Sequence, residues 1–114
     1  NSIWRIDMAN TFKNATVAVG NTNTTLYTCP AATSAVIHAV YISNIDGTND
    51  ASIDVIVTDS SEGSDFHIMK TVNVPADSSL VIEKPINLEA TDILKVKASA
   101  TGDLEAFASV LEMT

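Results

Sequence analysis

Thirteen residues, Ser34 to Asp46, constrain this chain more than any other stretch: SAVIHAVYISNID. Successive side chains of an extended strand point to opposite faces. Val36, His38, Val40 and Ile42 therefore share one face, and Ile37, Ala39, Tyr41 and Ser43 the other. Both faces are largely apolar, which predicts a central strand covered on two sides. β-Branched and aromatic residues dominate, and they suit a pleated surface better than a helix.

The remaining periodic segments are plausible neighbours for that strand. Thr16 to Val19 forms a short run stopped by Gly20 and the polar Asn21-Thr22-Asn23 turn. Thr24 to Cys29 is a second run, ended by Pro30, which has no N–H to give to a ladder. Ala51 to Asp59 turns Ile53, Val55 and Val57 inward, with Ile56 breaking the alternation, and Ser60 to Ser64 reads as a mobile loop. Phe66 to Val74 places Phe66, Ile68, Val72 and Val74 on one face. Pro85 interrupts Leu80 to Leu88, so that run is either an edge strand or two short strands with a break. Asp92 to Ala98 and Leu104 to Met113 complete the set, separated by the Thr101-Gly102-Asp103 turn.

About eight strands at roughly ten-residue spacing, with turn residues between them and no helical i, i+3, i+4 pattern, predict an all-β fold. The expected architecture is an antiparallel β-sandwich, jelly-roll or immunoglobulin-like, with the strand order open. The Cys…Trp…Cys framework of an immunoglobulin domain is absent, because Cys29 is the only cysteine. Its core is expected from Val40, Ile42, Val55, Val57, Ile68, Val72, Leu80, Ile82, Leu94, Val96 and Val110.

The 114 residues suit one domain. Residues 1–7, NSIWRID, hold the only Trp and the only Arg and precede Met8-Ala9-Asn10, so they read as an appendage of the tag-remnant kind on a single domain spanning 8–114. The alternative is an arm anchored on a neighbour by Trp4. Fourteen acidic against six basic residues give a formal charge of −8, which disfavours nucleic acid, since phosphate contacts need clustered Lys and Arg. Lys95 and Lys97 sit close together, but on one solvated strand face, beside Glu83 or Glu105. No apolar run approaches the ~20 residues of a membrane span, and no secretory signal peptide is recognisable. One cysteine excludes an intrachain disulfide and fits synthesis in a reducing cytoplasm.

Catalytic constellations are missing. His38 and His67 lie on separate strands without metal-ligand spacing, and His38 reads as a packed, hydrogen-bonded residue. Cys29 reads as a buried inert thiol, and no GxSxG or SxxK frames a serine. The Asp46-Gly47-Thr48-Asn49-Asp50 loop has the material of a calcium site without the spacing of an EF-hand. Neither an enzyme nor a cofactor is expected. Six apolar residues sit where a sandwich normally meets water, namely Ile37, Ala39, Tyr41, Ile56, Met69 and Phe107, and they form a candidate oligomer interface.

From Thr25 onward, over about three quarters of its length, the chain resembles small virion structural proteins of tailed bacteriophages, marine phages in particular. The likeness rests on LYTCPA (Leu26 to Ala31), AVIHAVYISNIDG (Ala35 to Gly47), VPADSSLVIEKPINLEATDILKVKAS (Val74 to Ser99) and ASVLE (Ala108 to Glu112). Where that pattern carries a glycine before an aspartate, this chain has Thr91 before Asp92. The resemblance implies a capsid decoration (cement) or head-fibre protein. Its site would be a virion, and its partners itself, as a homotrimer, and the major capsid protein or another virion protein. A receptor- or carbohydrate-binding fibre tip is the alternative, against which stands the 5% aromatic content, low for a sugar-stacking face.

Overall fold

The computed structural model describes residues 9–114. The expected strands form, with one division: β1 (Asn10–Ala18), β2 (Thr24–Thr28), β3 (Ser34–Asn44), β4 (Ala51–Asp59), β5 (Ser64–Val74), β6 (Ser79–Ile82), β7 (Ile86–Leu88), β8 (Ile93–Ala98) and β9 (Leu104–Met113). The 1–7 appendage lies outside the described residues.

Two sheets result. The first runs β1-β9-β3-β6, with β7 also pairing β3, and the second runs β2-β8-β4-β5. All pairings are antiparallel. The chain crosses between the sheets at nearly every connection, and taking β6 and β7 as one interrupted strand gives the eight-strand double Greek key of a jelly roll. Pro85 explains the interruption: the two pieces flank Glu83-Lys84-Pro85 and share β3 as partner, at the edge of the first sheet.

The core lies between the sheets. Ile37, Val40 and Ile42 of β3 and Val110 of β9 meet Ile53, Val55, Leu94 and Val96 of the second sheet, all with no measurable exposure. Each such side chain contributes about 1.5–3 kcal/mol when taken out of water. Ala106 and Ala108 on β9 and Ala98 on β8 are equally hidden, and their small volume lets the sheets approach.

β3 departs from strict alternation, and this corrects the reading of its faces. Its register with β9 slips between Ile37 and Ala39, leaving His38 as an extra residue. Such a bulge reverses the side-chain phase for the residues beyond it. Ala35 and Ile37 therefore point inward before the bulge, and Val40 and Ile42 after it. His38 is exposed rather than packed, and Val36 shares the outward side. The outward side of β3 is only partly covered, with Tyr41 at 43% exposure.

β5 carries two further slips against β4, between the partners of Ile53 and Val55 and of Val55 and Ile56. These account for Ile68, which is 42% exposed instead of in the core. Val57, Val72 and Leu80 are half-buried and packed against the core's margin. Thr71 takes a positive φ of 56° at one of these irregularities, and its N–H donates to Asp54 Oδ1 at 2.7 Å.

Thr91 stands where the resembling pattern has glycine, and its φ is 70°. That left-handed conformation is the one glycine adopts freely and a β-branched residue does not. The turn forms all the same, because Thr91 N donates to Cys29 O and Asp92 fastens the loop on both sides.

Candidate assembly surface

The outward positions of the first sheet are set by its register. Thr16, Phe107, Tyr41 and Val81 stand in one row across β1, β9, β3 and β6. The Tyr41 and Phe107 rings meet edge-to-face, 6.0 Å between centroids at 63°, a geometry favoured by their quadrupoles. Phe107 and Val81 are 38% and 37% exposed. A second row joins Phe12, Leu111 and Val36, and Phe12 is the most exposed large apolar side chain among the described residues, at 79%. Beside the first row lies an open depression of about 480 Å³, lined by Thr16, Ala18, Ser43 and Glu105 as well as the two rings.

Charge separates the two outer faces. Along the outward positions of β1, β3 and β9, Glu105 is the one acidic or basic residue, apart from the exposed His38 at the bulge. The outer face of the second sheet carries Asp54, Asp65, His67, Lys95 and Lys97, with Lys95 Nζ 3.9 Å from Asp65 and His67 Nε2 4.0 Å from Asp54. Lys95 thus faces Asp65, and not the Glu83 or Glu105 expected from sequence. A dense charged lattice keeps a sheet face in water. The first sheet lacks one.

Of the six residues singled out from sequence, Tyr41 and Phe107 are brought together and exposed, and Ala39 lies half-buried near them on β3. The other three do not join them. Ile37 is in the core, because the bulge turns it inward. Ile56 lies on the outward side of the second sheet opposite Lys95 and His67, yet only 2% exposed, so it is not free to meet a partner. Met69 is half-buried and packs against the core. Phe12 is not among those six: with aromatics so few, the sequence counts it among the large pieces of the core, but β1 begins at Asn10, upstream of the Thr16 to Val19 strand, and turns Phe12 outward.

Two acidic groups have the look of ligand sites. Asp59, Glu89 and Asp92 bring ligand atoms within 4.8 Å of one another. Asp92, however, is spent on the fold: Oδ1 accepts from Ser60 N and Oγ, both at 3.0 Å, and Oδ2 accepts from Glu89 N at 2.9 Å. Burial alone would raise its pKa; these donors outweigh that and hold it below the ordinary range. Asp46 in the 46–50 loop likewise accepts from Thr48 N, Asn49 N and Asn49 Nδ2, which closes the turn and lowers its pKa. Both read as turn-forming carboxylates.

Between the sheets lies one buried acid that composition does not announce. Glu112 of β9 is 7% exposed, accepts a hydrogen bond from the Tyr27 hydroxyl of β2, and lies 3.3 Å from Lys13 Nζ of β1. The Tyr27 bond and Lys13 lower its pKa despite burial, while burial and Glu112 push the Tyr27 phenol up. Cys29 nearby is fully buried, with burial raising its thiol and Sγ donating to Thr33 O at 3.3 Å. This network ties β1 and β9 to β2.

No protein-family model matches the chain, and no curated protein sequence does. Solved structures do. The chain is similar to a capsid protein of Helicobacter pylori bacteriophage KHP30, solved as an acid-stable capsid, at 12% identity and TM-score 0.57 over 95% of this chain and 92% of that one. It is similar to a protein of the Bacillus endospore appendages, disulfide-linked pili, at 16% identity and TM-score 0.54 over 94% and 88%. It also matches an infectious bursal disease virus protein (Gx strain) at 11% identity and TM-score 0.52, covering 94% of this chain but 32% of that one. At these identities the likeness is one of fold. The jelly roll deduced from strand order is the fold that virion and pilus subunits share with this chain.

Proposed function

We propose that this protein is a non-enzymatic structural subunit of a phage virion, and more finely a capsid decoration protein that binds the outer surface of the shell and stabilises it. One observation carries the reading: a jelly roll matching a phage capsid protein nearly end to end also leaves an aromatic outer face with a single carboxylate, Glu105, on a chain of net charge −8. Exposed apolar patches of this kind mark interfaces. The resemblance of LYTCPA, VPADSSL and ASVLE to phage virion proteins points the same way. We take the subunits to associate as a homotrimer, with Tyr41 and Phe107 turned towards the axis and the major capsid protein as the other partner.

The test is co-sedimentation with shells assembled from the major capsid protein of the same virion. The protein is expected to pellet with the shells and to raise their disruption temperature. Protein left in the supernatant overturns the reading. A Tyr41→Asp, Phe107→Ser double variant is expected to reduce the sedimenting mass of the free protein while keeping its fold. The exposed rings also suit the alternative, a fibre tip that stacks on sugar, and an intrinsic-fluorescence titration with neutral oligosaccharides would reveal that instead.

Residues 1–7 are proposed to be an appendage to the 8–114 domain. Their removal is expected to leave the melting temperature unchanged, since untied terminal residues contribute little. A marked drop would show that Trp4 docks.

A further inference from the structure

We infer that the free edge of β1 is a pairing edge for the same strand of a second copy. This rests on the self-assembly reading and adds a surface to it.

Four sheet edges are open among the described residues, and three carry devices that discourage pairing. β2 is five residues long, contains a register slip at Thr25/Tyr27, and is followed by Pro30. β5 has two slips, a positive φ at Thr71, and Lys70 beside it. β6 and β7 are four and three residues long and are separated by Pro85. Bulges, lysines, prolines and short strands are how sheet edges are kept from joining other chains. β1 has none of these but one lysine. Its nine residues pair β9 in unbroken register from Asn10 to Ala18, without Gly or Pro. The lysine, Lys13, is engaged by Glu112 on the inward side.

The direction of the open groups follows from the ends of the ladder. Thr114 N donates to Ala9 O, and Val19 N donates to Leu104 O. Backbone groups in an antiparallel strand alternate between its two neighbours. Odd-numbered residues of β1 therefore face β9. Asn10, Phe12, Asn14, Thr16 and Ala18 present N–H and C=O to the open edge.

Charge selects the occupant. Two copies of a chain of −8 repel wherever their carboxylates meet. The β5 edge begins beside Asp59, Glu62 and Asp65, and the β6–β7 edge lies beside Glu83 and Glu89. Residues 10–18 contain no carboxylate; the β2 edge has none either, but it is short and broken by its slip, so β1 is the long edge along which a like-charged copy approaches without a facing carboxylate.

A two-fold axis normal to the sheet joins two antiparallel β1 strands, and it opposes residues of equal parity. Centred on Lys13 it would set two ammonium groups face to face, which disfavours that register. Centred on Asn14 it uses all nine residues and sets Phe12 opposite Thr16 of the second copy, Lys13 opposite Ala15. The two first sheets then become one continuous sheet, and the exposed Phe12 gains a cover. Where the sheet face builds a trimer, the β1 seam joins one trimer to the next.

Sedimentation velocity of the full chain at micromolar concentration tests this. Asn14→Pro removes an outward N–H without touching the β1–β9 bonds, and it is expected to lower the sedimenting mass to that of the species the sheet face alone builds, with β-sheet circular dichroism retained. Asn14→Lys puts two lysines together at the centre of the seam; the mass is expected to fall in the same way at low salt and to recover at about 1 M salt, where charges are screened. Should the proline variant fail to fold, the lysine variant decides. A wild-type monomer, or a mass unchanged in the folded variants, overturns the seam. Shell co-sedimentation is read on the same samples: binding without a seam leaves the decoration reading standing, and a seam without binding removes only that reading.

Discussion

Val40→Asp is expected to yield no folded protein. Val40 sits just past the bulge of β3 with no exposed surface, enclosed by β6, β9 and the opposing sheet. An aspartate there loses about 1.5–3 kcal/mol of apolar burial and adds an unpaired charge whose effective penalty is several kcal/mol more. Together these rival the ~5–15 kcal/mol by which a domain of this size is stable. Val96→Asp on β8 is expected to behave the same way, because Val96 is equally buried between β2 and β4. The measurement is a thermal melt by circular dichroism beside the parent. A cooperative transition at the parent's temperature for either variant would mean that the residue does not face the core. Tyr41→Asp, one position along β3 from Val40 and exposed, is the control that should remain folded.

The contrast between Val40 and its neighbours shows what was legible in the sequence. Strand positions, the turns at Gly20, Asp46-Gly47, Pro75 and Gly102, and most of the core follow from period-two alternation and from Gly and Pro. The break at Pro85 was foreseeable as one of two outcomes, and the structure takes the divided one. The bulges were not foreseeable. A single extra residue leaves composition and propensity unchanged but reverses every side chain beyond it. Hence Ile37, an interface residue by strict alternation, lies in the core; His38, packed by the same reading, is exposed; and Ile68, inward by alternation, is exposed. The candidate surface suffered more than the fold, since a patch depends on which strands become neighbours. Tyr41 and Phe107 are 66 positions apart and meet because β3 and β9 pair. Strand order is a long-range property, and no local pattern encodes it.

Glu112→Ala is expected to destabilise the fold by about 3 kcal/mol, through loss of an acceptor for a part-buried hydroxyl and of an ion pair. Alternation had the information to find this residue: Leu104, Ala106, Ala108 and Val110 point inward, and Glu112 continues the series. An acid on the core side must be paired, and Tyr27 and Lys13 pair it from the two neighbouring edge strands. The Lys13 side chain is 51% exposed, so solvent screens that contact and the Tyr27 bond carries more of the effect. Tyr27→Phe is accordingly expected to cost about 1.5–3 kcal/mol, the range for a hydrogen bond to a charged group, and Lys13→Met less than 1 kcal/mol. Acid provides the independent check. The folded-state pKa of Glu112 lies below its ordinary value of 4.5. A carboxylate shifted in that direction stabilises the fold above the unfolded-state pKa, and that stabilisation is lost as pH falls from there through the folded-state value. Glu112→Gln removes the titrating group while keeping an oxygen to accept from Tyr27. Denaturant melts at pH 7 and at pH 3 should therefore show a smaller acid loss for Glu112→Gln than for the parent. Equal losses would place the acid-sensitive linkage elsewhere, with Asp92 and its Ser60 and Glu89 donors the next group to test by the same pair of measurements.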